Sequence, residues 1–156
     1  MKDMTELQGE YVPSTADWVR EQVAAFEASD GAEANVLERD GKPIILITNR
    51  GAKTGAIRKT PLMRVERDGR YLAVASMGGS DKNPAWVANF RKYPDMVLQD
   101  GGTKKAYVAR ELAGAEREEW WAYAVQTWPT YGEYQPNTSR IFPLFLLEPA
   151  GEQPAS

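Results

Sequence analysis

Apolar positions along the chain alternate between helical and strand periods, and the points of change mark its elements. Ser14-Thr15 opens a helical stretch to about Ser29, with Trp18, Val23 and Phe26 on or near one stripe and Asp30-Gly31 ending it. The unbroken run Pro43-Ile44-Ile45-Leu46-Ile47-Thr48 predicts a strand covered on both faces. After the loop Asn49–Lys59, Thr60–Glu66 and Arg70–Ser76 read as two strands around Arg67-Asp68-Gly69, because Asp-Gly between alternating segments is a strong hairpin signal. Asn83-Pro84 predicts a helix entry with asparagine as cap and proline at the first helical position, and Pro94 sets the end near Lys92. A second hairpin follows, Asp95–Gln99 and Thr103–Leu112 about Asp100-Gly101-Gly102, with Ala106, Val108 and Leu112 on one face. A helix over Ala115–Gln126, a Pro-Thr-Tyr loop and a last strand over Arg140–Leu147 complete the series, with 1–13 and 149–156 as tails. Meandering hairpins with separate helices predict an α+β, barrel-like sheet in one domain.

Composition narrows the chemistry more than the architecture. The chain has 156 residues and contains neither cysteine nor histidine. Disulfides, Cys/His zinc sites, thiol nucleophiles, Ser-His-Asp triads and imidazole bases are all excluded. No carboxylate cluster has metal-ligand spacing, so no metal is expected. Any catalysis rests on carboxylates, tyrosines, serines, backbone amides or a borrowed cofactor. The formal net charge is only -3, yet its distribution is uneven. Residues 1–38 hold two basic and nine acidic side chains, whereas residues 39–70 hold nine basic and three acidic ones. A local excess of about six positive charges in a mildly acidic chain fits a small anion and not nucleic acid, which pairs with a domain basic overall. The acidic N-terminal part opposes attraction to anionic lipid. With no long apolar run and no signal-type leader, the expectation is a cytoplasmic protein.

Three segments carry candidate chemistry. In Gly51-Ala52-Lys53-Thr54-Gly55-Ala56-Ile57-Arg58-Lys59, two glycines expose amides while Lys53, Arg58 and Lys59 gather charge, as a phosphate or carboxylate requires; a solvated hairpin tip is the competing reading. In Ser76-Met77-Gly78-Gly79 through Lys82-Asn83-Pro84-Ala85-Trp86, a Gly-Gly turn feeds a helix N-terminus, which suits an anion or a ring edge but also a merely well-capped helix. Trp128-Pro129-Thr130-Tyr131 with Tyr134 puts aromatics in a punctuated loop, fitting either the lid of an apolar pocket or a loop pinned to the core.

In order and spacing, the three segments together resemble the deazaflavin-dependent nitroreductase family over roughly residues 43–149. The resemblance implies a split β-barrel with flanking helices and reduced coenzyme F420, a deazaflavin with a phosphate and polyglutamate tail. It also implies hydride transfer to a flat activated acceptor such as an enone, a quinone or a nitroaromatic. By position, Lys53, Thr54, Arg58, Lys59 and Thr60 correspond to the phosphate and tail clamp. Val74, Ala75, Ser76, Met77 and Gly78 would lie along the ring, with Ala85, Trp86, Val87, Ala88 and Asn89 on its other side. Tyr131 corresponds to the family's tyrosine beside cofactor and substrate, and Tyr134 resembles its neighbour. Tyr131, Tyr134 and Ser76 are thus the candidate catalytic side chains, with solvent as another proton source. The chain departs from the family at Ala52, where a basic residue is usual, at Met77, often lysine, and at Trp128, a tyrosine in the nitroimidazole-reducing member. An FMN-dependent enzyme on the same fold and a non-catalytic deazaflavin-binding protein are the alternatives. The expected partner is a small planar acceptor, and oligomeric state is not readable.

Overall fold

The computed structural model describes residues 7, 9–36, 41–76, 83–134 and 141–151, with Thr130 and Tyr134 described by backbone alone. Helix α1 spans Asp17–Ala28, and strands β1 (Ile44–Arg50), β2 (Ile57–Met63), β3 (Glu66–Arg67) and β4 (Arg70–Val74) follow. Helix α2 covers Ala85–Lys92, β5 Asp95–Asp100 and β6 Thr103–Glu111. The series ends with α3 (Gly114–Thr127), α4 (Thr130–Tyr134) and β7 (Leu144–Pro149). All seven strands form one antiparallel sheet in the order β2-β1-β5-β6-β7-β4-β3, curled into a split half-barrel.

Alternation along each strand decides which side chains fill the curl. Ile45 and Ile47 of β1, Tyr71 and Ala73 of β4, Met96 and Leu98 of β5, and Tyr107 and Ala109 of β6 point to one interior cluster, which α2 plugs with Trp86, Val87 and Phe90. The intervening residues of β1, Ile44 and Leu46, meet Val23 and Phe26 of α1 on the outer face. Residues Ile44–Ile47 are therefore buried from both sides, as their unbroken apolar run requires. Fully covering such a side chain is worth about 1.5–3 kcal/mol. A second outer layer, α3 with α4, covers β4 and β7 through Trp120, Ala124, Tyr131, Leu144 and Leu146.

Several expectations change here. Trp18 does not join the buried stripe of α1 but is 59% exposed, because Val19, Val23 and Phe26 are the side chains packed on the sheet. Glu10 to Val12 are not a free tail: Ile57 N–H donates to Glu10 O at 2.7 Å and Val12 N–H to Ile57 O at 2.9 Å, extending the exposed edge of β2. The Thr60–Glu66 strand splits, since β2 pairs along its length with β1, and after Arg64-Val65 the chain crosses to the far edge of the sheet. Only Glu66 and Arg67 then pair with β4. The turn itself is as expected, with Asp68 at φ 56° and Gly69 at φ 79°, the left-handed pair a type I′ hairpin needs. Helix α2 starts at Ala85 with Pro84 as its N-cap, so Asn83 does not cap it and proline stands one position earlier than expected. In β6 the more buried positions are Tyr107 and Ala109, on the face opposite Ala106 and Val108. The Pro-Thr-Tyr segment winds into the short helix α4, and the last strand runs two residues beyond its expected end.

The two ends of the half-barrel differ. At one, Arg64 Nε donates to Asp100 at 2.9 and 3.1 Å and the Tyr71 hydroxyl donates to the same carboxylate at 2.5 Å, stitching β2, β4 and β5 together. Burial, and then the bond to Asp100, hold the Tyr71 phenol well above its ordinary value. At the other end lie the β1–β2 loop, the exit of β4 at Ala75-Ser76, and the start of α2.

Candidate active site

The β1–β2 loop is built from inside and then tied to α2. Gly51 N–H donates to Ala56 O at 2.7 Å, Gly55 N–H to Gly51 O at 2.8 Å, and Arg50 to Gly55 O at 3.1 Å. Gly55, at φ 75°, takes the left-handed conformation that closes this turn. Asn89 Oδ1 accepts from Ala52 N–H at 2.8 Å and Lys92 Nζ donates to Ala52 O at 3.0 Å. The loop is therefore fixed against the helix, with Lys53 and Thr54 exposed at its tip. Thr54 Oγ1 accepts from Ala56 N–H at 3.2 Å, so it shapes the turn.

Cation pairing refines the charge argument. Four of the nine cations in the basic stretch are committed to acids from outside it: Lys59 to Glu27 at 2.7 Å, Arg64 to Asp100, Arg67 to Glu119 at 3.2 Å, and Arg70 to Glu148 at 3.6 Å. Lys59 also lies 4.6 Å from the Tyr11 ring centroid and shares with Ile57 the sheet face opposite Arg58 and Thr60. Among the described residues, exposed Lys53 and half-buried Arg58 have no ion pair or hydrogen bond. Among the described residues, the anion-holding potential of residues 39–70 narrows to these two.

Beside them stands a residue that sequence reasoning left within a loop. Asn49, on β1 directly opposite Arg58, is 0% exposed, and neither its Nδ2 nor its Oδ1 has a partner. Leaving a buried polar group unmatched costs about 1–3 kcal/mol. No periodicity marks it, since its polarity looks like the ordinary end of an apolar strand.

The second segment is gathered at the same end. Ala75 is fully buried and Ser76 nearly so, with Ala75 N–H donating to Pro143 O at 3.1 Å. Trp86 and Val87 are core residues, Trp86 lying 4.7 Å from the Phe90 ring centroid, which leaves Ala85, Ala88 and Asn89 as the outward positions of that helix. Met77 and Gly78 lie outside the described residues.

The third segment lies on the outer layer. Tyr131 is 4% exposed and packs in the cluster that takes in Val74 from β4 and Met63 from β2, with the Trp121 ring centroid 6.5 Å away. It thus borders the split between the two edges of the sheet. Trp128 Nε1 donates to Arg64 O at 2.9 Å and the Tyr123 hydroxyl to Glu66 O at 2.7 Å, which pins the chain where it crosses that split. The Tyr134 side chain lies outside the described residues. A cavity of about 420 Å³, walled by Tyr11, Glu27, Thr48, Lys59, Gln99 and Lys104, sits on the outer face of β1; it shares Ile57 and Lys59 with the first segment but none of the residues of the other two. Among the described residues no cluster of acidic side chains could hold a metal, and no helix is long and apolar enough to cross a membrane.

A split half-barrel with a cation-bearing loop at one end, beside the exit of β4 and the start of α2, is the architecture of the described residues. The chain belongs to the F420H(2)-dependent quinone reductase family, which matches residues 18–149. It is an oxidoreductase, and its cofactor is coenzyme F420. An F420H(2)-dependent quinone reductase of Mycobacterium tuberculosis is 30% identical over 108 residues, 67% of this chain and 72% of that one. A solved F420-H2 dependent reductase shares 48% identity at a TM-score of 0.65, covering 72% of this chain and 97% of that one. A second solved relative, described as a domain-swapped dimer, shares 45% identity at a TM-score of 0.67, covering 86% of this chain and all of the other. The heme storage protein HutZ of Vibrio cholerae, 14% identical at a TM-score of 0.52 over 71% of this chain and 82% of its own, has the same fold.

Proposed function

We propose that this chain reduces a flat, activated acceptor, a quinone first and an enone or nitroaromatic as further substrates, at the end of the half-barrel that holds the β1–β2 loop. The observation carrying this reading is the pair of uncommitted cations, Lys53 and Arg58, beside the orphaned amide of Asn49, in a segment whose other acid-paired cations are tied up by the fold. Lys53 and Arg58 are donors only and the Asn49 amide adds N–H donors, and they fit the phosphate and carboxylates of the F420 tail.

When bound, the coenzyme supplies the hydride, so the chain needs neither histidine nor cysteine. Lys53 and Arg58 hold the anionic tail, and the loop, tied to α2 by Asn89 and Lys92, keeps them in place before the ligand arrives. Ala75 and Ser76 at the exit of β4 and the outward face of α2 flank the ring. Tyr131, at the edge of the split, orients the acceptor. A quinone gains two electrons as hydride and a proton beside it, and Tyr131, Tyr134 or solvent delivers that proton. Mixing the protein with reduced F420 and a panel of one quinone, one enone and one nitroaromatic, and following coenzyme oxidation, tests the reading. Turnover with the quinone is expected. Tight coenzyme binding without turnover of any acceptor would make it a sequestering protein, and no binding in a fluorescence titration would end the proposal.

A further inference from the structure

We propose that Asn49 is a binding residue for the anionic part of the coenzyme, working jointly with Arg58. The inference rests on the functional reading above and adds a residue to its site. Asn49 and Arg58 are direct cross-strand partners on β1 and β2, and side chains so paired leave the sheet on the same face with Cβ atoms about 4.5–5.5 Å apart. Both lack what they need: the amide is fully buried with neither atom matched, and the guanidinium has no acid or carbonyl among the described residues. Neighbouring cations on the same two-strand ribbon behave otherwise, Lys59 with Glu27 and Arg50 with the Gly55 carbonyl.

One arrangement gives both amide atoms a partner. Asn49 Oδ1 accepts an N–H from the guanidinium, which fixes its orientation, and Nδ2 donates to an anionic oxygen that Arg58 also grips. Arginine has no acceptor and the amide offers one, so the remaining valences are all donors and the missing partner is a group of acceptor oxygens. An imide ring edge, itself half donor, matches this set less well than a phosphate or carboxylate does. The ligand-free protein therefore holds an unsatisfied amide in reserve, in the way binding sites retain buried polar groups that a fully matched core would not.

The test uses wild type, Asn49→Leu, which keeps the branched shape of the side chain, at a larger volume, without the amide, and Asn49→Asp, which gives Arg58 a permanent acid. Each is titrated by fluorescence with F420, with the corresponding deazaflavin riboside that lacks phosphate and tail, and with inorganic phosphate as competitor, and ligand-free melting temperatures are recorded. We expect Asn49→Leu to melt no lower than wild type, to bind F420 roughly tenfold or more weakly, and to bind the riboside unchanged. Asn49→Asp is expected to melt higher and to lose F420 further. Competition by phosphate in wild type but not in Asn49→Leu assigns the phosphate, and competition in neither assigns the tail carboxylates; both support an anionic partner. Equal F420 affinity in Asn49→Leu and wild type overturns the proposal, as does an equal loss for the riboside. Failure of wild type to bind F420 at all is a separate result and refutes the functional reading instead. Should Asn49→Leu not fold, Asn49→Ser carries the same comparison.

Discussion

Replacing Asn89 by alanine separates two roles the residue has been given, ring contact and loop anchor. Asn89 Oδ1 accepts from Ala52 N–H at 2.8 Å, and among the described residues this bond and the exposed one from Lys92 to Ala52 O join the loop to α2. The bonds between Gly51, Gly55 and Ala56 set the shape of the turn but not its attachment. Ala52 is half-buried, so its amide regains water only in part when the acceptor is removed. The lower end of the range for an orphaned donor applies, about 1–1.5 kcal/mol. In a domain of this size that lowers the melting temperature by roughly 2–4 °C. If the anchored loop is what holds Lys53 and Arg58 ready, about the same free energy is lost from binding, roughly a five- to tenfold weaker F420 Kd. Thermal melting and fluorescence titration on one preparation measure both. A phosphate-free deazaflavin should bind Asn89→Ala as it binds wild type. Wild-type F420 affinity in the variant would refute the anchor argument, and an equal loss for both ligands would put Asn89 against the ring.

Three further outcomes follow from the geometry. Gly31→Ala should destabilise by at least about 2 kcal/mol, because its backbone is at φ 81° and an added Cβ would meet Gly101 O at 2.0 Å where the end of α1 docks on the β5–β6 turn; an unchanged urea midpoint would contradict this. Hydrogen bonds from Arg91 and Arg110 hold the carboxyls of Glu111 and Glu116 below the ordinary 4.5, so the unfolded chain takes up those protons first. Their stabilisation is present above about pH 4.5 and disappears as pH falls through the lowered values; both are surface pairs worth up to about 1 kcal/mol, and Glu111→Gln should flatten the acid limb of a melting-temperature profile. Tyr131→Phe should lower turnover with a quinone more than F420 affinity, and equal kcat in the two proteins would remove its hydroxyl from the chemistry.

Much of the architecture is legible in the residues themselves. The apolar run Ile44–Ile47 announces two-sided burial, and Asp68-Gly69 announces its turn, because both depend on local chemistry. What local chemistry does not contain is partnership. Nothing near Thr60–Met63 says that the strand pairs backward with β1 and leaves only Glu66-Arg67 for β4, since that choice is made by the whole sheet closing. The same holds for the site. The excess of cations in residues 39–70 is plain, yet which of them are free depends on Glu27, Asp100, Glu119 and Glu148, all far along the chain. Asn49 was invisible for a related reason, because an unmatched amide is defined by what fails to surround it.

The crossing at Arg64-Val65 gives the half-barrel a mechanical asymmetry. The two edge strands of the sheet, β2 and β3, are successive strands joined by two residues, so among the described residues the chain fastens them to each other at one end. The fastening is reinforced from three sides by Trp128, Tyr123 and Asp100. Any widening of the split must then act as rotation about this pivot, with the smallest travel at Arg64 and the largest at the lip where Arg58 lies. Trp128, whose indole donates to Arg64 O at 2.9 Å, stands at this pivot, where travel is smallest.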